Sequence, residues 1–341
     1  MIAYCIEGRP KGFTRNANVW QKLEMFDSPN ESIVVDMSKG EKAPKDVSLF
    51  CFGTMGFGQL LRMCLYRIFC PCRNYAMLFW DPPGMFRRDS DALRDVIQCL
   101  LMDMMLEFAA RGAEKLVWNL HPGFAQEHYS KVVMQKSSFF PNGTLVAFNQ
   151  EVVKGVARVR KRIAISSAFR ANKGCWEIVD LLVSLWKCDH EISFIWVGYP
   201  GLEEEVKERF RKAGVPEPNM HIPGYVPLED SLRLLASADV ALNFYKDLPS
   251  VRWNYVLKAP EFMSLGIPVV SPNLPGVAEY VKDGETGLLF RPGNVDEAFE
   301  KVLSLLRDPV RVDKMRKICL SSVARYDWSV INSEIMKELN K

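Results

Sequence analysis

Residues 251–290 read VRWNYVLKAPEFMSLGIPVVSPNLPGVAEYVKDGETGLLF. Lys258 to Leu265 has the make-up of a short helix, with Glu261 near its start and Gly266 to stop it. After the Ile267-Pro268 turn, Val269-Val270-Ser271 is a buried strand rich in β-branched residues. Pro272, Pro275 and Gly276 make a loop, a second helix is expected over 277–282, and Asp283-Gly284 ends it. Thr286 to Phe290 gives one more strand. A helix feeding a buried strand whose carboxyl end opens into a Pro/Gly loop is how open α/β sheets present ligands. Glu261 is thereby placed to accept hydroxyl hydrogen bonds at the edge of such a crevice.

The chain around this stretch has 341 residues, enough for two domains of ordinary size. Apolar residues make up 48% and charged residues 25%, a globular balance far from that of disordered chains. A net charge of +3 argues against dedicated nucleic-acid binding, where a strong basic stripe is expected. No eighteen-residue apolar run and no basic-then-apolar leader is present, so a cytoplasmic enzyme is expected, with peripheral contact to the inner face of a membrane left open. The nine cysteines pair closely only at Cys70-Pro71-Cys72, and no histidine stands near. Reduced, buried thiols are expected rather than a zinc site.

Strands and helices alternate along both halves, which predicts parallel sheets. Strands are expected over 1–7, 32–37, 47–52, 75–80 and 115–120, then over 163–167, 192–197 and 238–243. Gly8 and Gly12 bracket the loop after the first strand, with Lys11 and Arg15 beside a helix start near Thr14 that suits phosphate. The helix expected over 59–69 carries Arg62 and Arg67 among Leu, Met and Cys, a stripe suited to domain core or to a membrane surface. Asp81 ends the strand at 75–80, either as a functional carboxylate or as a turn former before two prolines. His121 ends the strand at 115–120, where it either lines a cleft or plays a structural part. The basic run Arg158-Val159-Arg160-Lys161-Arg162 reads as a solvated linker, and a boundary is expected at 155, with domains over 1–155 and 156–325 and a last helix over 326–341.

The run KAPEFMSLGIPVVSPNLPGVAEYVKDGETGLLF, with glycine, proline and glutamate in register, resembles the retaining nucleotide-sugar glycosyltransferases of the GT-B fold, the group 1 or GT4 class. The resemblance implies two doubly wound, Rossmann-like α/β domains facing a cleft, and a C-terminal helix that crosses back to the first domain. It also implies a nucleoside-diphosphate-sugar donor on the second domain and an acceptor on the first. Ala168 to Gly174 is similar to the family loop whose arginine and lysine neutralise the donor diphosphate: Lys173 matches, Ala168 stands where the arginine belongs, and Arg170 lies two residues on. Gly198, Tyr225 and Val226 fall in the glycine turns that meet the nucleotide, and Gly12 falls in the loop that faces the donor phosphates. Asp81 takes the place of the residue beside the transferred sugar and is the catalytic candidate.

The chain departs from the family where many members carry two glutamates eight positions apart. Glu261 holds the second place, which binds donor ribose, and Trp253 stands in the first, followed by Asn254 near the held sugar. Lys258 matches the lysine of the family's NKlfE form. The implied reaction transfers a sugar, with retention of configuration, to a sugar, lipid-linked or small-metabolite hydroxyl. No metal or other cofactor is implied, because Arg170, Lys173 and Lys258 supply the charge and no Asp-x-Asp cluster accompanies them. Two alternatives stay open: a nucleotide-sugar-binding partner protein that has lost catalysis, and a sugar-nucleotide epimerase on the same fold.

Overall fold

The computed structural model describes residues 2–6, 32–36, 49–54, 60, 61, 64, 65, 67, 68, 75–79 and 87–341. They divide into two compact units. The first takes its residues from 1–142, 253–255 and 328–341, the second from 143–252 and 256–327.

The first unit contains six parallel strands: β1 (Ile2–Ile6), β2 (Ser32–Asp36), β3 (Leu49–Thr54), β4 (Tyr75–Phe79), β5 (Lys115–Trp118) and β6 (Ser137–Phe139). They line up as β2-β1-β3-β4-β5-β6. Phe79 and Trp118, from adjacent strands, stack with ring centroids 3.8 Å apart. The Leu93–Gly112 helix lays Met102, Leu106, Ala109 and Ala110 on the core around them. The last helix, Trp328–Leu339, belongs to this unit, and Lys115 of β5 donates to the Glu338 carbonyl. The fold thus returns its C-terminal helix to the first unit, as the resemblance implies.

In the second unit lie β7 (Arg162–Ser166), β8 (Ser193–Val197), β9 (Met220–Gly224), β10 (Val240–Leu242), β11 (Val269–Pro272) and β12 (Gly287–Phe290). All are parallel and ordered β9-β8-β7-β10-β11-β12. Counted within the unit this is 3-2-1-4-5-6, the Rossmann order, whose direction reverses between β7 and β10. Every residue of β8 is buried, as expected of a strand covered by helices on both faces. Ile163, Ile165, Leu242 and Val270 meet Ile178 and Leu182 of the Cys175–Cys188 helix and Val302 of the Val295–Arg307 helix in one core. Each such side chain contributes roughly 1.5–3 kcal/mol by leaving water.

Three differences from the sequence reading have physical causes. The break between units falls between Asn142 and Gly143 rather than at 155. The Val146–Val152 helix packs with the second unit: the buried Asn149 amide donates to Thr144 Oγ1 at 3.0 Å and Ser264 Oγ at 2.9 Å. Trp253 to Tyr255 belongs to the first unit, although it was expected in the second. The helix expected over 277–282 spans only Pro275–Ala278, because Thr286 Oγ1 accepts from the Lys282 amide at 2.8 Å and holds that backbone in a turn.

Asn149→Ala removes both hydrogen bonds and leaves Thr144 and Ser264 short of a donor. It should destabilise the second unit by about 1–3 kcal/mol, read as a shift of its urea midpoint. The thiols give a second check. Burial raises Cys175 to about 11 and Cys319 to about 12, so at about pH 8 roughly a thousandth of the first and less of the second is thiolate. Peptide mapping after iodoacetamide at that pH should find exposed Cys188 alkylated while Cys175 and Cys319 stay unmodified.

Candidate functional site

In an open parallel sheet, ligands sit outside the carboxyl ends of the strands, at the point where the strand order reverses. In the second unit that point lies beyond β7 and β10. The segment after β7 runs from Ser167 through the turn Ala171–Lys173 into the Cys175–Cys188 helix. Phe169 anchors it: the ring is buried and stacks on Trp196 of β8, with centroids 4.8 Å apart, while Trp196 Nε1 donates to the Ser167 carbonyl at 3.0 Å. The chain after β8 is pressed against this segment. A Cβ on Gly198 would lie 1.9 Å from the Ser167 oxygen, and one on Gly201 would lie 2.2 Å from the Phe169 oxygen, so only glycine fits at either place. With its apolar residue turned inward, the loop leaves Arg170 exposed and Lys173 half-buried at the start of a helix. Ala168, where the family arginine falls, is buried and only 9% exposed.

The Gly198 amide donates to the Gly224 carbonyl at 3.1 Å, which joins the turns after β8 and β9. Next to Gly224, Tyr225 is half exposed and its ring stacks on Tyr199 with centroids 5.1 Å apart. Val226 follows at intermediate exposure.

The Lys258–Ser264 helix leads into β11, so its first turn stands at the carboxyl edge. Pro260 lies in that first turn, where a missing N–H costs nothing. Lys258 Nζ donates to both Glu261 carboxylate oxygens, at 3.0 and 3.1 Å. Tyr245, just beyond β10, has its hydroxyl pushed well above the ordinary range by burial and, next, by the negative charge of Glu261. Tyr245 is therefore a neutral donor near that carboxylate. Lys246 pairs at 2.8 Å with Glu177, from the first turn of the Cys175–Cys188 helix, and so ties together the segments after β7 and β10. Asn243 and Ser271 follow or end β10 and β11. Both are buried, and Asn243 Nδ2 and Ser271 Oγ have no hydrogen-bond partner among the described residues. Tyr199, Tyr245, Asn243 and Ser271 were not among the sequence candidates.

The remaining candidates lie elsewhere. Gly12 and Asp81 are outside the described residues. Asn254 sits in the first unit, between Trp253, whose carbonyl accepts from the His121 amide at 2.9 Å, and Tyr255, whose carbonyl accepts from Asn142 Nδ2 at 3.1 Å. His121 caps the Pro122–His128 helix: its Nδ1 accepts from the Gly123 amide, and its ring stacks on Trp253 at 5.2 Å. Trp253 in turn donates from Nε1 to Glu127 at 2.9 Å. One Asp-x-Asp triplet, Asp89-Ser90-Asp91, occurs in the first unit, with both carboxylates at exposed positions before the Leu93–Gly112 helix.

Residues 160–308 match the family model described as glycosyl transferases group 1. The phosphatidyl-myo-inositol mannosyltransferase of Mycobacterium leprae is 26% identical over 200 residues, 58% of this chain and 51% of that protein. The O-antigen chain mannosyltransferase B of Escherichia coli is 32% identical over 135 residues, 38% of this chain and 32% of that one. The chain thus spans about half the length, or less, of these relatives. Anabaena HepE in complex with UDP superposes with a TM-score of 0.74 at 15% identity over 99% of both chains. Sucrose-phosphate synthase of Thermosynechococcus elongatus gives 0.71 at 14% identity over 99% and 98%. The chain therefore has the GT-B fold, and its residues 160–308 are similar to the group 1 glycosyl transferases.

Proposed function

We propose that this protein transfers a sugar from a nucleoside-diphosphate donor to an acceptor hydroxyl, with retention of configuration and without a metal ion. The observation that carries this reading is the gathering of Arg170, Lys173 and the Lys258–Glu261 pair at the carboxyl edge of a Rossmann-ordered sheet. Departure of a nucleoside diphosphate leaves negative charge on the β-phosphate, the largest electrostatic demand of the reaction. Arg170 and Lys173 meet it beside the N-terminus of the Cys175–Cys188 helix, whose free amides and dipole add to their field. Lys258 adds a third cation. With these charges in place, no metal is required.

Glu261 accepts the ribose hydroxyls. Lys258 occupies one site on each of its oxygens, and a carboxylate offers about four. The turns at Gly198 and Gly224 to Val226 hold the base, and Tyr225 stacked on Tyr199 gives them an apolar, flat wall. The family resemblance further assigns Gly12 to the donor phosphates and Asp81 and Asn254 to the transferred sugar. The acceptor is a sugar, a lipid-linked or a small-metabolite hydroxyl, and a phospholipid headgroup is the acceptor class that the name of the M. leprae relative gives for that protein. The enzyme works in the cytoplasm, with peripheral contact to a membrane.

One observation favours a second reading, a binding protein without turnover. Trp253, in the place of the first acid, is engaged with His121 and Glu127 and brings no carboxylate to the sugar.

Titration calorimetry with UDP, GDP and ADP and their glucose and mannose conjugates tests the donor site. One diphosphate should bind, and Glu261→Ala should weaken it about 10- to 100-fold through lost charge-assisted hydrogen bonds. Unchanged affinity in Glu261→Ala would remove the ribose assignment. Turnover of the bound donor with an acceptor should persist in excess EDTA, with the anomeric configuration kept. Strict need for a divalent ion would refute the metal-free reading, turnover without acceptor would mark an epimerase, and binding without turnover would establish the second reading.

A further inference from the structure

The segment after β10 brings one more cation to the strand-order reversal of the second unit. Phe244, just past that strand, is buried and packs against the Phe290 ring of β12, with centroids 5.6 Å apart. From there the chain runs across the start of the Cys175–Cys188 helix. Gly174 caps that helix with φ 71°, and a Cβ on it would stand 2.8 Å from the Phe244 ring and 3.1 Å from the Phe244 carbonyl oxygen. The left-handed backbone and the close approach both call for glycine. Lys246, two residues beyond Phe244, is thereby delivered to the first turn of the helix, where its Nζ meets Glu177 Oε1 at 2.8 Å.

That pair leaves Lys246 with donors to spare. An ammonium has more N–H groups than one acceptor uses, and beyond Glu177 none is taken by a side chain among the described residues. The Lys246 side chain is 44% exposed against 29% for Glu177, so the cation is the more open member of the pair. Asp247, the next residue, is spent on Arg252 through both oxygens, at 2.8 and 2.9 Å. Asn243, at the other end of the same short segment, is 3% exposed, and its Nδ2 has no partner among the described residues. Buried polar groups are normally satisfied, so a spare amide and a spare ammonium on one segment point to a ligand rich in acceptors. The other cations of this edge are held differently. Arg170 is exposed, with no ion-pair partner among the described residues, and ordering such a side chain on a ligand costs conformational entropy. Lys258 already donates to both Glu261 oxygens. Lys246 is fixed by one contact at a helix start, where free amides and the dipole favour an anion. A lysine held by a helix glutamate is also how protein kinases present an ammonium to nucleotide phosphates, a parallel of chemistry and not of fold.

We propose that Lys246, positioned by Glu177, binds the donor diphosphate as a further cation beside Arg170 and Lys173. This assignment rests on the reading of the edge as a nucleoside-diphosphate site. The rival role for the pair is a structural tie between the segments after β7 and β10. The two roles differ in what each partner does: a tie needs both residues equally, whereas a phosphate site gains from the lysine and loses from the acid.

Titration calorimetry of the full chain with UDP, GDP and ADP separates them. Lys246→Gln should weaken the diphosphate that binds about tenfold through one lost charge-assisted contact. Glu177→Gln keeps an acceptor for Nζ while removing a negative charge near the phosphates, so it should tighten the same diphosphate about threefold. Weaker binding in both variants would mark a structural tie and overturn the proposal, and so would unchanged affinity in folded Lys246→Gln. Circular dichroism and the melting temperature report whether each variant is folded. If Lys246→Gln does not fold, Glu177→Gln decides by the sign of its effect. Absence of binding by folded wild type removes the donor-site reading and this assignment together, whereas binding indifferent to Lys246 removes this assignment alone.

Discussion

Two backbone carbonyls and two glycines set the geometry of the second unit's binding edge. The oxygens of Ser167 and Phe169 come so near the chain after β8 that a methyl group at position 198 or 201 would overlap them. Because the approach is made by backbone, small rotations of side chains do not relieve it. The segment after β7 is thereby fixed from below by Phe169 in its stack with Trp196 and from the side by the Gly198 turn. The Gly198 amide, continuing to the Gly224 carbonyl, extends the same frame to the turn after β9. Three loop segments become one surface, and cations placed on it need no reorganisation when charge develops nearby.

That frame also explains how the chain dispenses with an arginine at 168. A side chain there is buried against the frame, and alanine fits it. The next outward-facing position before the helix is Arg170, whose backbone is extended and whose side-chain stem runs past Gly201. Moving the cation by two residues keeps it on the exposed side of the same loop. Lys173, one helical turn later, stays in the register that its sequence pattern implies. The pair Lys246–Glu177 then joins the segments on either side of the strand-order reversal, so the edge that carries these charges is closed by an ion pair as well as by packing.

Alternation of strand and helix was legible because parallel strands covered on both faces write themselves as continuous apolar runs, as at 193–197 and 269–272. Lys258 and Glu261 were legible because a short helix before such a run has its first turn at the carboxyl edge. The unit boundary was not. The basic run at 158–162 looks solvated, yet Arg158 and Arg160 both pair with buried Asp239, and Lys161 bridges Asp189 and Glu191. Charge alone does not report whether its partners lie close by or far along the chain. Tyr245 and Ser271 were hidden for the same reason: their setting depends on residues brought near by the sheet and not by sequence. The helix expected over 277–282 failed because one threonine hydroxyl, four residues downstream, competes for its backbone.

Trp253 shows how a departure from a family pattern gains a physical account. The segment around it leaves the second unit for three residues, and those three are held by hydrogen bonds from the His121 backbone amide and the Asn142 side-chain amide. A Cβ on Gly123 would strike the indole at 2.1 Å, so glycine there and tryptophan at 253 fit only together. The indole stacks on His121, which is itself committed to capping a helix, and its N–H is committed to Glu127. A glutamate at 253 would forfeit the stack and set its charge near Glu127, a cost with no cation among these partners to offset it. The substitution therefore changes the structural job of the position. The first acid is replaced by a packed aromatic that fixes where this excursion sits.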